Sequence, residues 1–518
     1  MLTSRADLTL AIVSGVLLFL SFPKFGHPAF GWIALTPLLA ALSGATLRRA
    51  FLLGLTTGVV SFTGTLYWVT HVMAVYGGLQ TWVAILINAA LIAYLALFPA
   101  FFALLTRRIV IGYGRAALMS APIVWVATEL GRTYVFSGFP WVLLGYSQAT
   151  VLPIAQLASV FGVYGVSMLV ASVSTALAFS AAGPADRLRQ GYGGQEAGHY
   201  VRPWLPLVVV FGIVLAVAAW GGRRAAASEW THAGEPIRIG LIQGNVDQAV
   251  KWDLARASTI FQDHLRMTRQ AIQEGAQLVL WPESSTPFLF EEDLPGAAKV
   301  RTLAQQAQVP ILFGSDQIER GRPDRYYNSA FLVRADGTTG GVYRKMHLVP
   351  FGEYVPLQRL LFFAAPLTEQ SGTFSAGLTP ELLPVNGHRV SVAICYEVVY
   401  SDLVRQFVAG GSELLTTITN DAWFGQTSAP VQHFQQASMR AIENGRYLVR
   451  SANTGISGIV DPYGRVVAQT PIFQTAVLVG EARYLRTSTF YSRHGDILAY
   501  ASALATAALV AMSRRRVQ

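Results

Sequence analysis

Hydrophobic positions along this 518-residue chain fall into two regimes. Over 50–106, and again over 133–185, no Asp, Glu, Lys or Arg interrupts runs rich in Leu, Val, Ala and Phe, a pattern that needs a membrane as solvent. From about 235 to 484 the pattern changes to short β-rich runs at 237–242, 277–281, 310–313, 330–333, 339–343, 390–394 and 414–418. Helical patterns separate them, such as Phe261, Leu265 and Ile272 on one face of the segment 251–275. A last apolar run ends at Arg514, Arg515 and Arg516. The expected layout is a transmembrane bundle of about seven helices over 1–221, an α/β domain over 235–485 and a C-terminal transmembrane helix over 496–512.

Eight spans are expected, at 8–22, 30–45, 51–72, 81–105, 116–130, 151–182, 204–220 and 497–512. The first two fall short of the roughly 20 residues a helix needs to cross, and the fifth contains Pro122 and Glu129. Basic residues set the orientation, because cytoplasmic loops collect Lys and Arg. With the N-terminus inside, Arg5, Arg48, Arg49, Arg107, Arg108, Arg115, Arg187, Arg189, Arg202 and the three terminal arginines lie inside, against Lys24, Arg132, Arg223 and Arg224 outside. The α/β domain is then extracytoplasmic. The first apolar run lacks an A-x-A-like cleavage site and another follows it, so it is expected to stay as an anchor. The Gly-rich stretch 190–199 reads as a cytoplasmic loop. Tyr134, Phe136, Phe139, Trp141 and Tyr146 suit an interfacial aromatic belt.

Composition sharpens this. Only 13% of residues are charged and 52% are hydrophobic, against a charged share of roughly a quarter in soluble chains, which excludes an ordinary cytosolic enzyme. The net charge of +10 is largely a topological signal, so no nucleic-acid partner is expected. One cysteine, Cys395, excludes an intrachain disulfide framework and a Cys-rich metal site.

In open α/β sheets chemistry gathers at the carboxyl ends of strands. Glu283, Lys345, Cys395 and the pair Asn420 and Asp421 follow β-rich runs directly. A thiol attacks as thiolate, so it needs a base and a nearby cation, and Glu283 and Lys345 supply them. Lys345 can also donate to the oxyanion formed when sulfur attacks a carbonyl. The plainer readings are a buried structural Cys395, a helix-capping Glu283 beside Ser284, Ser285 and Thr286, and a solvated Lys345.

Trp281-Pro282-Glu283, Tyr343-Arg344-Lys345-Met346-His347 and Ile394-Cys395-Tyr396-Glu397 resemble the Glu-Lys-Cys signature of the nitrilase superfamily. More narrowly, the run from Leu348-Val349-Pro350-Phe351-Gly352-Glu353 to Tyr354-Val355-Pro356, and Thr419-Asn420-Asp421-Ala422-Trp423-Phe424-Gly425, resemble the bacterial apolipoprotein N-acyltransferase family, as does the placing of the apolar segments. The resemblance covers essentially the whole chain. It implies an αββα sandwich on the periplasmic side of the inner membrane and a ping-pong acyl transfer through a thioester. Cys395 would attack the sn-1 ester of a phospholipid, preferably phosphatidylethanolamine, with Glu283 as base. The α-amino group of a lipoprotein's N-terminal diacylglyceryl-cysteine would then take the acyl chain as an amide. The resemblance also assigns supporting roles to Glu353, Tyr396 and Glu397, and places Trp252, Asn420, Trp423 and Phe424 near substrate. No cofactor is expected, and nothing in the sequence demands more than a monomer. His347 and His433 read as structural, with no second ligand at metal spacing. The apolar run Leu360, Leu361, Phe362 and Phe363 reads as an arm dipping into the outer leaflet to gate lipid access.

Two rivals remain at this stage. A membrane-tethered amidase acting on a small amide would use the same trio but would need one anchor rather than eight spans. A transporter with a dead domain would show more intramembrane charge than Glu129 and Arg132.

Overall fold

The computed structural model describes residues 5–181, 202–251, 253–354 and 373–517. They group into two compact units: Met1–Tyr67 with Ile85–Ala227 and His494–Gln518, and Trp68–Ala84 with Ser228–Arg493.

In the first unit each expected apolar segment is helical: Arg5–Phe19, Thr36–Ala41 after a 3-10 turn at Pro28–Ile33, Leu47–Thr65, Thr81–Tyr113, Ala121–Tyr134, Ala158–Ala181, Leu205–Ala227 and Ile497–Val517. Among the described residues three helices are long and apolar enough to cross a membrane, or four if Leu47–Thr65 and Tyr67–Tyr76, bent by 55°, form one span. The others fall short for local reasons. Arg5–Phe19 has 15 residues, about 22 Å at the helical rise, against roughly 30 Å of hydrocarbon. The segment after Pro28 is split between a 3-10 turn and a six-residue helix. Pro122 opens the Ala121–Tyr134 helix, where a missing N–H costs nothing.

The aromatic belt divides. Tyr134 and Phe136 are exposed as expected, but Trp141 and Tyr146 are core residues. Two buried charges explain the inward turn: Glu129 Oε1 accepts the Leu144 N–H at 2.7 Å, and Arg132 donates to the Trp141 carbonyl at 2.8 Å. The buried carboxylate and guanidinium here hold backbone groups that burial would otherwise leave unpaired.

The second unit carries two six-stranded sheets. The first is ordered β12-β1-β2-β3-β4-β5, with β1 Glu235–Gln243, β2 Leu278–Leu280, β3 Ile311–Glu319, β4 Arg325–Val333, β5 Thr339–Arg344 and β12 Ala476–Tyr484. The other is ordered β11-β10-β9-β8-β7-β6, with β6 Leu382–Val385, β7 His388–Ile394, β8 Leu414–Thr419, β9 Leu448–Ala452, β10 Gly458–Val460 and β11 Val466–Gln469. Each has a parallel centre, β1-β2-β3 and β7-β8-β9, flanked by antiparallel strands. The Leu254–Gln273 and Leu294–Ala307 helices cover the first sheet, the Ser401–Ala409 and Ala429–Asn444 helices cover the second, and the sheets meet through β1 with β9 and β4 with β7. This is the expected nitrilase-like four-layer arrangement. The parallel centres point the ends of β2, β7 and β8 toward one place, where Glu283, Cys395 and Asn420 follow.

Candidate active site

Cys395 leaves β7 at a sharp elbow, with φ of 53° in the left-handed region that a side chain adopts at a cost of about 1–3 kcal/mol. A 3-10 turn, Cys395–Val399, follows. Glu397, fully buried in that turn, holds the elbow. Its Oε2 accepts the Ile394 N–H at 2.7 Å, while Oε1 accepts the Tyr343 hydroxyl at 2.7 Å and the Met346 and His347 N–H groups at 2.7 and 3.1 Å. One carboxylate thus ties the end of β7 to the loop bearing Lys345. Burial pushes Glu397 up to about 7, against the pull of those donors and of Lys345.

Around the thiol lies a buried network. Lys345 Nζ is 2.9 Å from Glu353 Oε1 and 3.4 Å from Glu283 Oε1. Asn328, inside β4, donates from Nδ2 to the same two oxygens at 2.7 Å (Glu283) and 2.9 Å (Glu353), and its carbonyl accepts the Lys345 N–H. The free oxygen of Glu283 accepts the Asn420 N–H at 2.9 Å, and that of Glu353 accepts the Val349 N–H at 2.8 Å. Lys251 donates to the Glu283 carbonyl at 3.1 Å. No helix starts at Glu283: the next begins at Leu294, capped by Asp293. Gly314 is required here, because a Cβ would come within 2.5 Å of the Ser284 nitrogen.

The charges settle accordingly. Burial raises the Glu283 carboxyl, but Lys345, Asn328, Lys251 and the Asn420 N–H outweigh it and leave it below the usual carboxylate range. Burial would lower Lys345, yet Glu353 and Glu283 lift it above an ordinary lysine. Cys395 is raised by burial and by Glu283, with Lys345 opposing. At neutral pH the site therefore rests as carboxylate, ammonium and protonated thiol.

The chain matches a model described as carbon-nitrogen hydrolase over residues 238–488 and one described as apolipoprotein N-acyltransferase N-terminal domain over 14–176. Apolipoprotein N-acyltransferase of Geobacter metallireducens is 40% identical over 99% of this chain and 96% of that relative. That of Methylococcus capsulatus is 35% identical over 94% and 92%. The chain belongs to the apolipoprotein N-acyltransferase family. An amidase structure from Nesterenkonia sp. is 21% identical, covering 49% of this chain and 93% of that one, with a TM-score of 0.38.

In this N-acyltransferase Trp423 and Phe424 are half-buried, and their rings meet those of Tyr76 and Trp68 edge-on at 5.8 and 5.0 Å, so the segment Trp68–Ala84 supplies aromatic neighbours that spacing did not show. Asn420 is buried, with Nδ2 on Gln248 and Oδ1 accepting from Asn453, so both ends of its amide are spent on the protein and its N–H orients Glu283. Tyr396 packs edge-on against Tyr400. His347 packs at a tilt of 37° against Tyr400 and is pushed down to about 4 by burial and Lys345, which keeps it neutral. Trp252, the 360–363 arm and the 190–199 loop lie outside the described residues. Sequence reasoning missed Asn328, because a polar residue in the middle of a strand carries no positional signal. It passed over Lys251, whose scarcity among four lysines was the available cue.

Glu397→Gln tests the clamp. With its oxygen toward β5, the amide NH₂ would face the Ile394 N–H, and an unmet buried donor costs about 1–3 kcal/mol. A fall in melting temperature with slower alkylation of Cys395 is expected, and unchanged values for both would remove Glu397 from this role.

Proposed function

We propose that this apolipoprotein N-acyltransferase takes a fatty acyl chain from the sn-1 position of a membrane phospholipid, phosphatidylethanolamine foremost, holds it as a thioester on Cys395, and passes it to the α-amino group of an N-terminal diacylglyceryl-cysteine. The observation that carries the reading is the convergence of Glu283 and Lys345, 3.4 Å apart, on the chain's one thiol. Sulfur attacks the ester carbonyl while Glu283 takes its proton, and the Lys345 ammonium and the Tyr396 N–H meet the oxyanion. The C–O bond breaks, the Glu283 proton goes to the departing alkoxide, and a lysophospholipid leaves. In the second half the neutral amine attacks the thioester, Glu283 takes the amine proton, the C–S bond breaks and the proton returns to sulfur. Glu353 and Asn328 hold Lys345 and Glu283 in place, and Trp423 and Phe424 line the substrate side. The eight apolar helical segments and the bias of basic residues support eight passes through the bacterial inner membrane, with the domain in the periplasm.

The test incubates the detergent-purified enzyme with phosphatidylethanolamine of defined chains and a diacylglyceryl-cysteine peptide. Equal amounts of N-acylated peptide and lysophospholipid are expected; free fatty acid without peptide acylation would favour the tethered amidase. The pH dependence of thioester formation follows from the charges. Glu283 is depressed, so its carboxylate is present above the usual range for glutamate, and the raised Lys345 stays charged beyond that of lysine. With Glu397 titrating at about 7, the rate should fall below that pH as its clamp on the elbow is protonated, and be flat from about pH 7 to 9. A tenfold rise per pH unit across that window would mean that a free thiolate, and not the Glu283-coupled thiol, is the attacking form.

A further inference from the structure

Behind the Cys395 elbow sits a buried cluster that the chemistry above leaves unused. Asp421 follows β8, His433 lies in the Ala429–Asn444 helix and Arg450 lies in β9, each fully buried. Arg450 Nη2 is 2.8 Å from Asp421 Oδ2 and 3.0 Å from His433 Nδ1, which is itself 3.1 Å from Asp421 Oδ1. His433 Nε2 is 3.2 Å from the Cys395 carbonyl oxygen.

One of these contacts fixes a hydrogen. A carbonyl only accepts, so Nε2 carries a hydrogen toward Cys395, while Nδ1 faces both a guanidinium, which donates, and a carboxylate oxygen, which accepts. With or without a hydrogen on Nδ1, the ring keeps the Nε2–H that the Cys395 carbonyl needs. Burial and Arg450 hold His433 below the ordinary histidine range, with Asp421 opposing.

Resting on the reading of Cys395 as nucleophile, we propose that His433, held at Nδ1 by Arg450 and Asp421 and donating from Nε2, is a positioning residue that holds the Cys395 carbonyl and so the left-handed elbow presenting the thiol to Glu283 and Lys345. It takes no proton from sulfur. Its task is to keep one peptide group from rotating. The misplacement its loss would allow costs about 10²-fold when reacting groups move by roughly 1 Å.

Three variants separate this from a packing role and from a base. In His433→Gln the amide nitrogen sits where Nε2 sits and can still donate to the Cys395 carbonyl. In His433→Asn the shorter amide can accept from Arg450 but does not reach Cys395, and His433→Leu does neither. Thioester formation at varied lipid concentration is measured for each, with Cys395→Ala alongside. The expected result is a near-native rate for the glutamine variant and about 10²-fold lower maximal rates for asparagine and leucine, with the half-saturating lipid concentration unchanged. An asparagine variant as fast as glutamine would reduce His433 to packing, and a glutamine variant as slow as leucine would make it a base; either overturns the proposal. A Cys395→Ala enzyme that still transfers acyl chains would instead overturn the reading on which it rests.

Discussion

Cys395→Ala is expected to leave a folded, membrane-inserted protein that transfers no acyl chain. Cys395 is the chain's one thiol, it is 9% exposed, and alanine fills the site without adding a clash. The elbow cost at φ of 53° is similar for both residues, so the backbone is not relieved by the change. Cys395→Ser is a stricter version. It keeps a nucleophilic atom, but its hydroxyl is far harder to ionise beside the Glu283 carboxylate, and an oxygen ester is a poorer donor to an amine than a thioester. Transfer to a diacylglyceryl-cysteine peptide measures both variants. Activity above about 1% of the parent in the alanine variant would place the nucleophile elsewhere.

Glu283→Gln should cost about 10²- to 10⁴-fold in thioester formation, the range for removing a general base. Its two oxygens serve different donors, Asn328 and Lys345 on one and the Asn420 N–H on the other. Either orientation of the amide therefore turns an NH₂ toward a donor, and part of the loss will be geometric. Alkylation of Cys395 by iodoacetamide separates the parts. If Glu283 acts as base, the variant's melting temperature falls modestly while alkylation, flat with pH in the parent, comes to rise with pH, because a free thiolate, eased by loss of the Glu283 charge, must now form without a base. An alkylation profile identical to the parent's would mean that Glu283 does not exchange a proton with the thiol.

How far the sequence reached depended on where each residue's partner lay along the chain. Glu283, Lys345 and Cys395 could be found because each follows a β-rich run, and a strand exit is a place where polar groups need a reason. Asn328, Lys251 and the Asp421, His433 and Arg450 cluster acquire their meaning only when β4, β8 and β9 are side by side, which the pattern of a single chain does not state. The same limit shows in the strands. The seven expected runs are all present, while β6, β9, β10, β11 and β12 were not foreseen. β6 contains Pro384, β9 buries Arg450 and Ser451, and β11 is largely exposed, so none shows a clean alternation or a continuous apolar run. In the helical unit the apolar runs located the helices, but burial of Glu129 and Arg132 against the Trp141–Leu144 backbone drew Trp141 and Tyr146 inward against their composition.

The central claim is that the acyl chain rests on Cys395, and intact-mass spectrometry tests it most directly. The purified enzyme is incubated with phosphatidylethanolamine of defined chains in the absence of acceptor, then weighed before and after hydroxylamine, with Cys395→Ala alongside. The account predicts a mass gain of one acyl group, released by hydroxylamine, lost on adding acceptor peptide and missing from the alanine variant. An enzyme that acylates the peptide yet never carries the added mass, or that carries it equally well without Cys395, would contradict it.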